Sequence, residues 1–141
     1  MPREADLTGV PPGSDGGACA AAILVVEDNE VNALILGAML RKLGYQPLMA
    51  RDGFEGIELA GRVRPRLVLM DLQMPRLDGF AAASSIRALG VGEEETVLVA
   101  VTASAALEVR TACEDAGFAC VLAKPIVFGE LRAILRRYLA A

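Results

Sequence analysis

The chain has 141 residues and a mass of 14.8 kDa, the size of one domain that can bury a hydrophobic core. Apolar residues make up 54% of it, which is typical of globular proteins and excludes a wholly disordered chain. A net charge of −4 with scattered cations argues against a nucleic-acid partner, and the longest apolar run, nine residues at 18–26, is too short to cross a bilayer.

In chain order, residues 1–20 come first, rich in proline and glycine and without hydrophobic periodicity. This composition predicts a disordered leader or linker ahead of one domain at 21–141. Five apolar runs then alternate with five stretches of helical periodicity. The runs lack polar alternation and predict strands covered on both faces, at 22–27, 47–50, 67–71, 97–102 and 119–124. The predicted helices are 30–43, 53–63, 79–89, 105–116 and 127–139.

The residues at the predicted helix ends support these boundaries. Short polar residues that can cap free N–H groups precede three helices: Asn29, Asp52 and Asp78. Glycines, which adopt the left-handed conformation common after helices, follow three: Gly44, Gly90 and Gly117. Strands alternating with helices imply right-handed crossovers and a parallel sheet. We therefore expect an α/β domain with a doubly wound (βα)5 fold.

Polar side chains stand where four of the apolar runs end. Glu27 and Asp28 close the first run, Asp71 the third, Thr102 the fourth and Lys124 the fifth. Because ligands bind at the carboxyl ends of strands in such folds, we expect these groups to converge. Three neighbouring carboxylates repel one another unless a hard cation such as Mg²⁺ joins them. An aspartate beside Mg²⁺ can attack a phosphoryl group while a lysine and a threonine stabilise the transferred oxygens.

Taken singly, each of these residues has an ordinary structural explanation. An acidic pair can open a loop, Asp71 can cap a turn, and a lysine before a proline can mark a loop. Their joint occurrence at strand ends favours phosphoryl transfer to Asp71, and one of only two lysines in the chain stands where the site needs it. The chain has no histidine and three cysteines. This excludes a histidine base and the usual zinc sites, and predicts free thiols in a reducing cytoplasm.

Four segments resemble the receiver domain of two-component response regulators: VVEDNEVN at 25–32, LVLMDLQMPRLDGF at 67–80, VAVTASA at 99–105 and CVLAKPI at 120–126. The similarity extends from about residue 23 to residue 139. It implies a flavodoxin-like fold with sheet order 2-1-3-4-5. It also implies a phosphorelay protein that receives its phosphoryl group from a histidine kinase or a histidine phosphotransfer protein. Such a domain is not a conventional enzyme, although it catalyses its own phosphorylation and dephosphorylation. We expect it to be a monomer or weak dimer without membrane insertion.

The resemblance assigns a metal-binding role to four residues. Asp71 matches the phosphorylation site and one ligand of Mg²⁺. Asp28 matches a direct ligand, and Glu27 a ligand that acts chiefly through water. The backbone carbonyl of Gln73 matches a further ligand.

The resemblance also assigns the residues of the switch. Thr102 matches the hydroxyl that moves toward the phosphoryl group, and Lys124 matches the lysine that pairs with it. The bond between Lys124 and Pro125 is expected to be cis. The family often has Tyr or Phe three residues before the lysine, where this chain has Val121. Whether a signal is transmitted through an aromatic side chain is therefore an open question, and the loop after Thr102 is the alternative route.

The first predicted helix has more apolar residues than one helix face holds: Val31, Leu34, Ile35, Leu36, Met39, Leu40 and Leu43. We favour core packing as their explanation. The alternative is that the surplus forms a docking surface for a phosphotransfer partner.

Three other classes of protein fit parts of this pattern. A haloacid-dehalogenase-like phosphatase needs a second aspartate two residues after the first, where Gln73 stands. An FMN-binding flavodoxin needs a Ser/Thr/Gly-rich loop after the first strand, where EDNEVN would repel phosphate. A degenerate receiver would lack a key residue, and all five are present. A single-domain regulator and a receiver from a hybrid histidine kinase both stay open, with the segment EDNEVN favouring the second.

Overall fold

The computed structural model describes residues 23–74, 76–90, 95–104 and 106–139. The leader predicted at 1–20 lies outside the described residues, as does Cys19. In the described part, strands and helices alternate as expected: β1 (Ile23–Val26), α1 (Glu30–Lys42), β2 (Leu48–Ala50), α2 (Gly53–Val63), β3 (Leu67–Asp71), α3 (Gly79–Ala88), β4 (Val97–Thr102), α4 (Leu107–Ala116), β5 (Phe118–Ala123) and α5 (Phe128–Leu139).

The strands form one parallel sheet in the order β2-β1-β3-β4-β5. The predicted doubly wound fold and strand order are therefore confirmed. The chain places β2 on one side of β1 and then places β3, β4 and β5 on the other side of β1. This reversal leaves a crevice between β1 and β3 at the carboxyl edge of the sheet, where such folds bind ligands.

Successive residues of the strands face opposite sides of the sheet, and both sides are covered. Leu24 and Val26 of β1 pack in a core cluster under α2, α3 and α4, whereas Ile23 and Val25 pack in a second cluster with α1 and α5. All four side chains are fully buried. Burial on both faces is why β1 is an unbroken apolar run without polar alternation.

The predicted caps are confirmed. The carboxyl or amide oxygens of Asn29, Asp52 and Asp78 accept hydrogen bonds from the N–H groups of Asn32, Glu55 and Ala81, at 3.0, 2.8 and 2.8 Å. The glycines Gly44, Gly90 and Gly117 have φ of +98°, +87° and +98°. One end carried no such signal: Arg64 follows α2 in the left-handed conformation, with φ of +55°.

The preference for core packing along α1 was wrong for part of that helix. Leu36 and Leu40 are buried, but Val31, Leu34 and Ile35 are 63%, 68% and 50% exposed. Residues spaced by three and four positions are neighbours on a helix surface, so these three form one exposed apolar stripe. Because α1 packs against the sheet through one face only, its second apolar face is left toward solvent.

Candidate functional site

The polar strand-end residues converge as predicted at the carboxyl edge of the sheet. Glu27 and Asp28 follow β1, and Asp71 ends the neighbouring strand β3. Thr102 ends β4, and its carbonyl accepts a hydrogen bond from the N–H of Lys124 at 2.8 Å. The parallel register therefore brings groups separated by about 100 residues in sequence into one site.

The ammonium group of Lys124 bridges two carboxylates. Its Nζ lies 3.3 Å from Glu27 Oε1 and 3.5 Å from Asp71 Oδ2. Glu27 and Asp71 are only 5% and 3% exposed, so water offsets little of their mutual repulsion. One cation shared by two buried carboxylates leaves the cluster negatively charged, which favours a further cation.

The surroundings of Glu27 disfavour its negative charge relative to water. Burial raises the pKa of its carboxyl group, and a hydrogen bond with Asp71 and the charge of Asp71 raise the pKa further. The N–H of Asn29, which donates to Glu27 Oε2 at 3.2 Å, and the charge of Lys124 act in the opposite direction. The raised pKa indicates that the folded protein holds this negative charge at a cost.

Asp71 is held at the end of a central strand by its neighbours in sequence. The N–H of Gln73 donates to Asp71 Oδ1 at 3.1 Å, which keeps Gln73 beside the carboxylate. The start of α3 also packs closely here, because a Cβ atom at Gly79 would lie 2.6 Å from the Asp71 carbonyl oxygen and 2.8 Å from Leu72 Cα. Only glycine fits this approach, which explains why α3 begins with Gly79.

Thr102 and Lys124 complete the site from the adjoining strands. Thr102 is buried, and its hydroxyl oxygen accepts a hydrogen bond from the N–H of Ser104 at 3.2 Å. The peptide bond between Lys124 and Pro125 is cis, as the resemblance implied. The threonine hydroxyl is thus tied to the loop that leads toward α4.

The donor set of the site fits a hard divalent cation. One oxygen from each of Glu27, Asp28 and Asp71 lies within 4.8 Å of the other two. Opposite ligands of an octahedral Mg²⁺ with bonds of 2.1 Å are about 4.2 Å apart, so small adjustments would bring these oxygens around one ion. Asp28 is exposed, and this open side suits Mg²⁺, which keeps several waters.

Val121 occupies the position where the family often has Tyr or Phe. Val121 lies opposite Ala100 in β4 and packs at the margin of the core. An aromatic pair lies elsewhere in the domain: the rings of Phe80 and Phe118 meet edge to face with centroids 6.3 Å apart. This pair joins α3 to the start of β5, and sequence reasoning did not identify it.

Two grooves, also unforeseen from the sequence, flank α1 and meet at Glu27. The smaller, of about 110 Å³, includes Ile35, Pro125 and Ile126. The larger, of about 390 Å³, includes Leu34 and Met49 and is bordered by arginines. The exposed apolar stripe of α1 therefore lies directly beside the acidic cluster.

Comparison with known proteins agrees with this geometry. Residues 23–136 match the family described as the response regulator receiver domain. The hybrid signal transduction histidine kinase G of Dictyostelium discoideum is 42% identical over 82% of this chain. The sensor histidine kinase RcsC of Salmonella typhi is 34% identical over 82% of it. The aligned regions are only 3% and 12% of those two proteins.

Two solved structures share the fold. The receiver domain of a sensor histidine kinase from Pseudomonas aeruginosa, which has a magnesium ion coordinated in its active site cleft, is 41% identical with a TM-score of 0.77, covering 84% of this chain and 97% of that one. The receiver domain of Ssk1 from Saccharomyces cerevisiae, crystallised with the phosphotransfer protein Ypd1, is 29% identical with a TM-score of 0.77, covering 84% and 88%.

The described helices include none with the length and apolar character that a membrane span requires. The family match covers most of the chain, and the strand order is the one expected for this family. This chain belongs to the response regulator receiver domain family.

Proposed function

We propose that this domain accepts a phosphoryl group on Asp71 from a phosphohistidine of a histidine kinase or a histidine phosphotransfer protein. The observation that carries the proposal is the position of the Asp71 carboxylate. It is buried at the end of β3, 3.5 Å from Lys124 Nζ and within one cluster with Glu27 and Asp28. A carboxylate that served only a structural ion pair would not need two further acids beside it.

The residues around Asp71 divide the chemistry among them. A carboxylate oxygen of Asp71 attacks phosphorus, the bond from phosphorus to the donor imidazole nitrogen breaks, and that nitrogen keeps the electron pair. The Lys124 ammonium offsets the charge of the transferred oxygens, and the Thr102 hydroxyl donates a hydrogen bond to one of them.

The metal ligands in this proposal are those of the acidic cluster. Asp28, Asp71 and the Gln73 carbonyl would hold Mg²⁺ directly, and Glu27 through water. Bound Mg²⁺ would supply positive charge near the transferred oxygens. The spacing of the three carboxylates supports this assignment, as does the magnesium ion in the similar Pseudomonas aeruginosa receiver.

The same groups would serve dephosphorylation. Water attacks phosphorus and the bond from phosphorus to the Asp71 oxygen breaks, which restores the carboxylate. We infer that the domain catalyses both steps itself, so that a small phosphodonor can replace the protein donor. Gln73 and Ser104 adjoin the site and are expected to affect the rate of this hydrolysis.

The exposed stripe of α1 is the surface proposed to receive the donor protein. We call Val31, Leu34 and Ile35 the α1 patch. The α1 patch borders both grooves that reach Glu27, so a helix laid on it would lie close to Asp71. Two described cysteines are free thiols, which supports a cytoplasmic site of action. The similarity to hybrid histidine kinases supports a role in a phosphorelay.

Phosphorylation would act by shifting the population of two packings of the domain. We favour the loop after Thr102 as the route by which the change is transmitted, since the Thr102 hydroxyl accepts a hydrogen bond from the N–H of Ser104 at the start of this loop. The N-cap residue of the helix that follows, α4, is Ala106, which makes no side-chain capping bond, whereas α1, α2 and α3 are each capped. An uncapped helix end is less costly to move. The face of α4, β5 and α5 is therefore the proposed output surface.

The direct test is phosphorylation by acetyl phosphate with Mg²⁺, followed by intact mass spectrometry. We expect the wild-type protein to gain one phosphoryl group and Asp71→Asn, which keeps the size of the side chain, to gain none. Absence of any gain in the wild type, or an equal gain in Asp71→Asn, would reject Asp71 as the acceptor.

A further inference from the structure

The segment that follows Asp71 is anchored at its two ends by the backbone. The N–H of Leu72 donates to the carbonyl of Val101 at 3.0 Å, and the N–H of Gly79 donates to the carbonyl of Leu72 at 3.2 Å. These bonds fix where the segment leaves β3 and where it enters α3. Between these two bonds, the N–H of Gln73 donates to Asp71 Oδ1 at 3.1 Å, so the position of Gln73 depends on side-chain contacts as well as on the backbone.

The first turn of α2 holds the distal part of this segment. Arg76 Nη1 lies 3.4 Å from Asp52 Oδ2, and Arg76 Cζ lies 5.1 Å from the centroid of the Phe54 ring, within the range of a cation–π contact. Leu77 rests on the same turn, because a Cβ atom at Gly53 would lie 2.9 Å from the Leu77 carbonyl oxygen. We call Asp52, Phe54 and Arg76 the α2 clamp.

The start of α2, which supplies Asp52 and Phe54 to the α2 clamp, is itself held in place by hydrogen bonds. Asp52 Oδ1 caps the helix by accepting from the N–H of Glu55 at 2.8 Å, which leaves Oδ2 directed at Arg76. Glu55 Oε1 in turn accepts from the N–H of Arg51 at 2.7 Å. Phe54 is half exposed, and its contact with Arg76 gives this exposed ring a role.

We propose that Arg76 is a positioning residue for the metal site. By joining the segment after Asp71 to α2, it holds Gln73 in the arrangement that binds Mg²⁺ and so raises the affinity for the ion. The inference rests on the proposed function, since it requires that Mg²⁺ bind beside Asp71. An affinity is lowered in proportion to the fraction of molecules in the competent arrangement, so loosening the segment weakens binding without altering any ligand.

The direction in which the Mg²⁺ affinity changes when Arg76 is replaced distinguishes positioning from simple electrostatics. Arg76 carries a positive charge near an acidic cluster, so its charge alone repels Mg²⁺. Removing that charge would strengthen Mg²⁺ binding if electrostatics were its only influence. Positioning by the α2 clamp predicts the opposite change.

The test compares Mg²⁺ affinity of the unphosphorylated protein, measured by amide chemical shifts during titration. We expect Arg76→Ala to weaken binding about three- to fivefold, the size expected for one exposed ion pair and one exposed cation–π contact. Phe54→Leu keeps every charge and should weaken it in the same direction. Arg76→Lys keeps the charge and should restore part of the affinity.

The matched control is Arg62→Ala, which removes an equally exposed arginine paired with Glu58 at 3.8 Å farther along α2. Its affinity should equal that of the wild type or be slightly higher. Unchanged or tighter binding in both Arg76→Ala and Phe54→Leu would overturn the inference. A thermal unfolding curve without Mg²⁺ checks each fold, and if Arg76→Ala is unfolded, Phe54→Leu alone decides. Failure of the wild type to bind Mg²⁺ would reject the proposed metal site itself, which is a distinct result.

Discussion

The α1 patch permits a sharp test of partner docking, because exposed and buried leucines occur on the same helix. Leu34 is 68% exposed, and Leu40, six residues later, is fully buried. Replacing Leu34 with aspartate puts a charge on the patch with little disturbance of the core. If the α1 patch receives the phosphodonor protein, Leu34→Asp should impair transfer from that protein while the fold survives.

The expected loss of stability follows from the burial of Leu34. Complete burial of a leucine side chain contributes about 1.5–3 kcal/mol, so the buried third of Leu34 contributes about 0.5–1 kcal/mol. The lower helix propensity of aspartate adds up to about 0.7 kcal/mol. We therefore expect a cost of about 1–1.5 kcal/mol, whereas Leu40→Ala should cost about 2–5 kcal/mol.

The assay measures the phosphorylation of Asp71 from two donors. One is a histidine-phosphorylated phosphotransfer domain chosen because it labels the wild type, and the other is acetyl phosphate. Loss of a central apolar contact should slow transfer from the protein donor at least about tenfold. Labelling by acetyl phosphate should change less than about twofold, because this donor needs no docking surface.

Leu89→Asp is the control for adding an acid at an exposed leucine, since Leu89 is 46% exposed and follows α3 at the opposite edge of the sheet. It should leave transfer from the protein donor near that of the wild type. An unfolded Leu34→Asp protein would restore the core explanation that the structure contradicts. A folded variant with unchanged transfer would show that the donor docks elsewhere.

Three further predictions concern the acidic cluster and α4. Asp28→Ala should weaken Mg²⁺ binding at least about tenfold, the effect of losing a direct ligand, and unchanged affinity in a titration would contradict the assignment. Because the pKa of Glu27 is raised above 4.5 in the folded state, its contribution favours folding below that pH and is lost as the pH rises through the folded pKa. Glu27→Gln should therefore unfold at a higher temperature than the wild type at pH 7 without metal, with a difference that shrinks toward pH 4. An equal or lower midpoint at pH 7 would refute this. Ala106→Asp supplies the missing cap of α4 and should stabilise the protein by about 1 kcal/mol in denaturant unfolding, and a lower midpoint would count against an uncapped helix end.

The convergence of Asp71 with Glu27 and Lys124 could be predicted because it needs only the alternation of strands and helices. In a parallel sheet every strand ends at the same edge, so polar groups that close apolar runs must meet there. The bounds of β3 and β4 agree with the prediction for a related reason. β3 is buried throughout, β4 is buried from its second residue onward, and each ends at a polar residue, Asp71 or Thr102.

The exposure of Leu34 and the left-handed end of α2 could not be predicted. Periodicity shows which residues share a helix face, but it does not show how many faces neighbouring elements cover. α1 has two apolar faces and only one is covered. Arg64 ends α2 in a conformation usually given to glycine. The proline that follows it marks a helix end, but it does not indicate a left-handed arginine. The α2 clamp was missed because an exposed arginine and an exposed phenylalanine each look like ordinary surface residues.

The distribution of charge explains why the cluster suits a transient phosphoryl group better than a permanent ion pair. Three carboxylates face one ammonium group, and Lys124 is shared between Glu27 and Asp71 at 3.3 and 3.5 Å. Burial and, after it, the neighbouring Asp71 raise the pKa of Glu27 in spite of the charge of Lys124, so this ammonium group does not fully offset the cost of the negative charge. A cation bound by Asp28 and Asp71 would reverse the imbalance and free part of the attraction of Lys124 for an incoming phosphoryl group. Under the proposed function, these acids would make phosphorylation of Asp71 depend on Mg²⁺, and replacing Glu27 should weaken that dependence while it stabilises the metal-free protein.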